Sequence, residues 1–190
     1  MQTQARRNTQ KKLSGEVVYY LLMKKYKTAL FIGRFQPFHK GHLYILEKCL
    51  EIAEQVVILV AKAEAKGEVN DPWDYQVRKR MVCEVVNARG IKERVKKIVS
   101  CPDYPSDARW LSEVKRRVGE FDVVVSNNEW TLNVFREAGQ RVMESGLYKR
   151  EELEGVKIRA LMRAGDEDWK MRVPSEIVKL FENNDTEMIR

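Results

Sequence analysis

The stretch Gly33-Arg34-Phe35-Gln36-Pro37-Phe38-His39-Lys40-Gly41-His42-Leu43 decides the reading of this chain, because it gathers both of the chain's histidines into four residues. A three-residue offset sets the two imidazoles on one face of a helix start. There, unpaired backbone N–H groups and the positive end of the helix dipole favour a phosphate. Gly41, between them, lets the backbone come close to such a ligand. Upstream, Thr28-Ala29-Leu30-Phe31-Ile32 is a short apolar, β-rich segment that stops at Gly33, the pattern of a buried parallel strand. Downstream, Leu43, Leu46, Leu50 and Ala53 recur at helical spacing, and Ile45, Cys49 and Ile52 widen the stripe. The run therefore occupies a strand-to-helix turn at the carboxyl end of a strand, where open α/β sheets bind their ligands. A lone His-x-x-His pair would be an ordinary surface feature; with this strand and helix around it, the run points to nucleotide chemistry.

The same alternation continues along the chain. Residues 56–60 read as a second buried strand, 95–100 as a third, 121–125 as a fourth and 141–143 as a weak fifth. Between and after them, apolar residues at helical spacing mark helices through Val77 to Val86, Ala108 to Val118, 131–138, Ile158 to Met162 and Ile177 to Phe181. Such alternation predicts an α/β fold with a Rossmann-like, doubly wound parallel sheet in a single domain.

Length and charge narrow the partners. The 190 residues suit one domain, and the net charge of +7 is unevenly placed: residues 1–27 hold seven Lys/Arg and one acid, leaving 28 basic and 27 acidic residues beyond them. The domain is nearly neutral, so no nucleic-acid partner is expected. Residues 17–23 form an apolar run too short to span a bilayer, with no small-residue cleavage site after it, so neither a membrane nor secretion is expected. Cys49, Cys83 and Cys101 are odd in number and lack C-x-x-C spacing, which reads as buried free thiols in a reducing cytoplasm. Residues 1–23 are read as a basic and apolar extension and 24–190 as the domain. Met23-Lys24-Lys25-Tyr26-Lys27 leads straight into the first strand, so translation from Met23 is an alternative start.

The Gly-Arg-Phe-Gln-Pro-Phe-His-x-Gly-His run resembles the (H/T)xGH signature of the nucleotidylyltransferase superfamily, in the form of the archaeal-type nicotinamide mononucleotide (NMN) adenylyltransferases. The similarity extends over roughly residues 24–180. It implies transfer of AMP from ATP to NMN, giving NAD and pyrophosphate, with Mg²⁺ accompanying ATP and no resident metal ligands. It implies that His39 and His42 bind the ATP phosphates and stabilise the pentacovalent α-phosphate, with Arg34 close to them, and that Gly33, Phe35 and Gly41 of the turn bind substrate. Asp71-Pro72-Trp73-Asp74-Tyr75-Gln76-Val77-Arg78 matches an Asn/Asp-Pro-Phe-x-x-x-x-Arg stretch of the family and implies a phosphate role for Arg78. Glu154-Gly155-Val156-Lys157-Ile158-Arg159 aligns with a Ser-Gly-Thr-x-Ile-Arg segment and implies that Arg159 reaches the β- and γ-phosphates. From Asp103 to Trp110 the family's Asp-x₆-Trp spacing implies that Asp103 takes a polar group and Trp110 stacks on the pyridine ring. Ser126-Asn127-Asn128 matches as well, either as a nucleotide contact or as a plain helix-capping turn. Relatives assemble as homo-oligomers, and the same is expected here.

The chain also departs from the family pattern. Ala61-Lys62-Ala63-Glu64 stands where relatives carry Gly-Ser-Ala-Gln, Lys66-Gly67-Glu68 where they carry Ser-x-Thr/Ser, and Glu154 and Val156 where they carry Ser and Thr. Hydroxyls that could bond phosphates are missing, and carboxylates replace some of them. Transfer to nicotinic acid mononucleotide, FMN or phosphopantetheine is the alternative for the acceptor, and a nucleotide-binding regulator without turnover is the alternative of a different class.

Overall fold

The computed structural model describes residues 25–146, 148–149 and 151–183. The apolar run at 17–23 and the boundary expected at residue 23 lie outside these. Five parallel strands, β1 (Tyr26–Gly33), β2 (Ala53–Ala61), β3 (Val95–Cys101), β4 (Val123–Ser126) and β5 (Val142–Glu144), form one sheet in the order β3-β2-β1-β4-β5. Seven residues of β1 pair with β2 and three with β4, Phe31 lying opposite both Ile58 and Val125. The chain leaves β1 toward one edge through β2 and β3, then returns to the other side of β1 as β4. The gap between the carboxyl ends of β1 and β4 is thus the point where the strand order reverses.

Alternation along the strands explains why both faces of the sheet are covered. Ala29, Phe31, Val56, Ile58, Val60, Val123 and Val125 point to one face. There they meet α1 (Lys40–Ile52), α2 (Tyr75–Ala88), α5 (Gly155–Ala164) and α6 (Ser175–Glu182), through Leu46, Cys49, Met81, Val85, Ile158 and Ile177. Leu30, Val57, Leu59 and Val124 point to the other, against α3 (Asp107–Val118) and α4 (Glu129–Glu137), through Trp110, Val114, Val118 and Phe135. Burying each such Leu, Ile or Phe contributes about 1.5–3 kcal/mol. The expected doubly wound α/β class is the fold found.

Element ends are set by polar contacts that hydrophobic spacing does not report. Asp74, Ser106 and Asn128 cap α2, α3 and α4 by accepting from Val77, Arg109 and Thr131. Ala53, placed in the first helix by its spacing, instead opens β2 and pairs with Tyr26. The fourth strand begins at Val123, not at 121. The Asp122 carboxylate accepts from the N–H groups of Lys27 (2.9 Å) and Thr28 (2.8 Å), and so fixes the chain just before the ladder starts. Among the described residues no helix is long and apolar enough to cross a membrane, and all three cysteines are free.

Candidate active site at the strand-order reversal

The β1–α1 turn is built around its aromatic rings. Phe35 is fully buried with φ +55°, in the left-handed region unusual for a bulky residue. That geometry turns its ring back over Gly33, where a Cβ would fall 2.7 Å from the ring carbons, so position 33 has no room for a side chain. Phe31, Phe38 and His42 surround Phe35 at centroid distances of 5.4, 5.5 and 4.8 Å. His39 is the N-cap of α1 and His42 its third residue. The N–H of His42 donates to His39 Nδ1 (3.3 Å), and the N–H of His39 donates to His42 Nδ1 (3.2 Å). This reciprocal arrangement is a capping box made by two imidazoles in place of the usual hydroxyl and carboxylate.

The box fixes the chemistry of both rings. With each Nδ1 accepting a backbone N–H, the proton of each neutral imidazole must lie on Nε2. The rings stack at 3.6 Å, and burial keeps them uncharged. Burial and the Arg159 guanidinium draw His39 down to about 3, and burial, His39 and Arg34 hold His42 well below the ordinary imidazole value. Two neutral Nε2–H donors are therefore available to a ligand. The backbone contributes less than its position suggests: the N–H groups of Lys40, His42 and Leu43 are taken by Arg172 O, His39 Nδ1 and His39 O. The close approach at Gly41 is that of the His39 ring, whose Nδ1 and Cε1 would lie 3.0 Å from a Cβ there.

A cleft of about 560 Å³ opens at the carboxyl ends of β1, β2 and β4. His39, His42, Gly33, Arg34, Phe35 and Arg159 line it, as do Asp103, Trp110, Ser126 and Asn127, so ten of the twelve residues singled out from the sequence meet there. Gly41 lines an adjoining cleft of about 670 Å³ that shares His39, His42, Asn127 and Glu154. Arg78 lies on neither. It is fully buried, and its guanidinium donates to the backbone carbonyls of Asp74 (3.1 Å), Arg34 (3.0 Å), Ala61 (2.8 Å) and Lys62 (2.9 Å). Its place is behind the cleft, where it ties the β1–α1 turn to the end of β2; the phosphate contact expected for it does not fit this geometry.

The other cations differ in how they are held. Arg34 has a side chain 62% exposed, with one nitrogen 3.8 Å from Asp71. Arg159 is 7% exposed; it donates to Gln36 O (2.6 Å) and Asn70 Oδ1 (3.3 Å), and its buried Nε has no hydrogen-bond partner among the described residues. The buried indole N–H of Trp110 also lacks one. Both orphaned donors belong to residues that line the cleft, where a ligand oxygen would satisfy them. The Trp110 ring, however, is 2% exposed and packs on Phe135, so its expected stacking face is largely covered. Beside it, Trp130 is 46% exposed at a centroid distance of 4.7 Å and donates to Asp107 (3.3 Å). The side chains of 126–128 are engaged by the chain itself. Ser126 accepts from the Asn128 N–H, Asn127 bonds Ser145 and the Gly146 carbonyl, and Asn128 caps α4.

Sequence reasoning missed Gln36 and Trp130. The Gln36 amide donates to Trp73 O (2.7 Å) and accepts from Trp73 N–H (3.1 Å), clasping the loop before α2 to the turn. Its signal was there: an amide between Phe35 and Pro37-Phe38 is carried into the core and must find partners. Trp130 gave none, because an aromatic residue in the first turn of an amphipathic helix reads as packing.

Residues 30–164 match the model of the cytidylyltransferase-like family. The nicotinamide-nucleotide adenylyltransferase of Ignicoccus hospitalis is 35% identical over 80% of this chain and 90% of its own. That of Pyrobaculum aerophilum is 32% identical over 82% and 87%. Among solved structures, a bifunctional NMN adenylyltransferase/ADP ribose pyrophosphatase from Francisella tularensis shares the fold, with a TM-score of 0.70 at 20% identity over 85% of this chain, which spans 51% of that protein's length. With its two-imidazole turn at the reversal of the sheet and this likeness along nearly its whole domain, the chain belongs to the nicotinamide-nucleotide adenylyltransferases of the cytidylyltransferase-like family.

Proposed function

We propose that this protein transfers the adenylyl group of ATP to NMN, forming NAD and pyrophosphate. The observation that carries the reading is the pair of neutral imidazoles, each with its proton on Nε2, in one cleft with Arg34 and Arg159. In this reaction an NMN phosphate oxygen bonds to the α-phosphorus while the bond from that phosphorus to the bridging oxygen breaks, and pyrophosphate leaves with the electron pair. The attacking phosphate is already an anion, so no general base is required. The difficulty is electrostatic, since two anions must meet and the leaving group gains charge. His39 and His42 donate to phosphate oxygens from fixed positions, Arg159 brings a guanidinium with an unpartnered Nε to the triphosphate, and Arg34 supplies an exposed charge at the mouth. Mg²⁺ enters as part of the substrate, MgATP, and neutralises phosphate charge. Trp130, held beside the covered Trp110 ring, offers the exposed aromatic face for the cationic pyridine, an attraction worth about 0.5–2 kcal/mol.

We place the protein in the cytoplasm, in keeping with its three free thiols, and as a homo-oligomer, which light scattering tests. Incubation with ATP, Mg²⁺ and NMN should yield NAD and pyrophosphate in equal amounts. Absence of both products from folded protein would overturn the reading.

A further inference from the structure

Behind the mouth of the cleft lies a carboxylate to which the reaction as described gives no part. Asp71 is 1% exposed, in a tight loop where its N–H donates to Glu68 O (3.1 Å) and the Gly67 N–H donates to Pro72 O (3.2 Å). Both cations that pair with it, Lys62 and Arg34, line the cleft. Lys62 Nζ donates to Asp71 Oδ2 (2.7 Å) and also reaches Glu68 (3.3 Å). Asp71 Oδ1 is buried without a hydrogen-bond partner among the described residues, and Arg34 Nη1 stands 3.8 Å from it. An unpaired buried acceptor is unfavourable, and a charge-assisted bond would close that gap to about 2.7–2.9 Å.

Arg34 is fixed at its backbone and loose beyond it. Its carbonyl accepts from Arg78 (3.0 Å), and the next residue, Phe35, is fully buried. Its side chain, by contrast, is 62% exposed, with Asp71 as its one ion-pair partner among the described residues. A guanidinium carries five donors in a planar fork, so it can give one edge to a carboxylate and keep another for a phosphate. Without an anchor, the same long side chain would have to be ordered by the substrate itself.

We infer that Asp71 is a positioning residue: it holds Arg34 by one guanidinium edge, through the oxygen that Lys62 leaves open, and so presents the other edge to the phosphates of ATP. This rests on the function proposed above. Lys62 sits at a left-handed φ of +51° with its carbonyl held by Arg78 (2.9 Å), and by occupying Oδ2 it leaves Arg34 only Oδ1.

The test is the KM for MgATP, with NMN as acceptor, in the wild type, Asp71→Asn, Arg34→Ala and the double variant, each checked for folding by circular dichroism. Asparagine keeps the size of the side chain and an oxygen for Lys62, and removes the charge that holds Arg34. Arg34→Ala should raise KM about tenfold or more, the scale of one hydrogen bond to a charged group. Asp71→Asn should raise it roughly two- to tenfold, the scale of ordering one long side chain, with a smaller change in kcat. In the Arg34→Ala background the same change should leave KM where Arg34→Ala set it, because nothing remains to be positioned. An equal rise in both backgrounds would show that Asp71 acts through its loop alone, and would overturn the inference while the proposed function stands. Arg34→Lys leaves Asp71 untouched and decides the point should Asp71→Asn not fold. An ammonium drawn to Asp71 Oδ1 has no second edge for a phosphate, so KM should stay near that of Arg34→Ala. Recovery of the wild-type KM by lysine overturns the inference. Absence of turnover in the folded wild type overturns the proposed function and the inference together.

Discussion

The β1–α1 turn and the loop between β2 and α2 face the same cleft, yet they are held by opposite means. In the turn, the functional groups are set by their own neighbours: a two-imidazole capping box, a left-handed Phe35, and aromatic rings packed within a few residues. In the loop, placement comes from side chains distant in sequence: Arg78 on four carbonyls, the Gln36 amide on Trp73, and Lys62 on Asp71. A site can thus combine a segment that folds into its working shape locally with one that takes that shape only when the whole domain has assembled. The two should fail differently when perturbed.

The largest effect is expected at the hub of the loop. Arg78→Ala takes the guanidinium away from the carbonyls of Arg34 and Ala61 in the core, while those of Asp74 and Lys62 keep backbone donors from residue 78 and Ala65, and should lower stability by about 3–5 kcal/mol, measured by urea denaturation. Arg78→Lys should recover little, since one ammonium cannot span the carbonyls that the planar guanidinium reaches. Arg34→Ala, by contrast, removes an exposed charge and should change stability by less than about 0.5 kcal/mol. If Arg78→Ala folds as stably as the wild type, the contrast between turn and loop collapses.

Next in size is His42→Ala, which should lower kcat by about 10²-fold or more, or roughly 2.7–4 kcal/mol, the cost of losing one transition-state donor. The fold should survive, because the helix loses one cap bond and the packing of one ring on Phe35 and His39, while the backbone N–H of residue 42 still reaches His39 Nδ1. Wild-type turnover in the folded variant would remove the central role given to the turn.

How far the sequence could be read follows the same division. The turn was legible because its spacing and its helix share one local geometry, and ten of the proposed site residues do gather in the cleft. Arg78 misled because the spacing from Pro72 to Arg78 fixes a helical offset but not which way the guanidinium faces. Only the carbonyls of Arg34 and Ala61, brought there by sheet pairing, decide that. The doubly wound parallel class was implied by the alternation of elements, whereas the start of β4 depends on Asp122 reaching Lys27 and Thr28 across 94–95 residues, which periodicity cannot register.

A pH series sharpens the comparison at a smaller scale. Both histidines have folded values lowered from 6.5, His39 to about 3, so their contribution to stability is complete above pH 6.5 and is lost as the pH falls toward the folded values. The loss should approach 1.4 kcal/mol, roughly, per pH unit for each imidazole that the unfolded chain protonates and the folded one does not. Comparing the wild type with a His39→Gln, His42→Gln double variant between pH 7 and pH 5 isolates this term. Equal slopes in the two proteins would show that the imidazoles are charged in the folded turn.

The smallest expected effect concerns Glu154, which lines the cleft at the start of α5 with Lys157 at 3.7 Å. Glu154→Ser combined with Val156→Thr should lower the ATP KM a few-fold, about 0.3–1 kcal/mol, with kcat nearly unchanged, because it relieves a repulsion felt equally by bound ATP and the transition state. A higher KM would show that the carboxylate assists binding.

The stacked imidazoles also make the molecule its own spectroscopic reporter. His39 and His42 are the only histidines in the chain, so every imidazole signal in a proton NMR spectrum originates in the cleft. The ring of His42 lies 4.8 Å from Phe35 and 5.5 Å from Phe38, close enough for ring currents to displace its resonances from free-histidine positions and from those of His39. Titrating ATP or pyrophosphate into unlabelled protein would then follow phosphate arrival at two resolved probes, with no tag, label or substitution disturbing the turn.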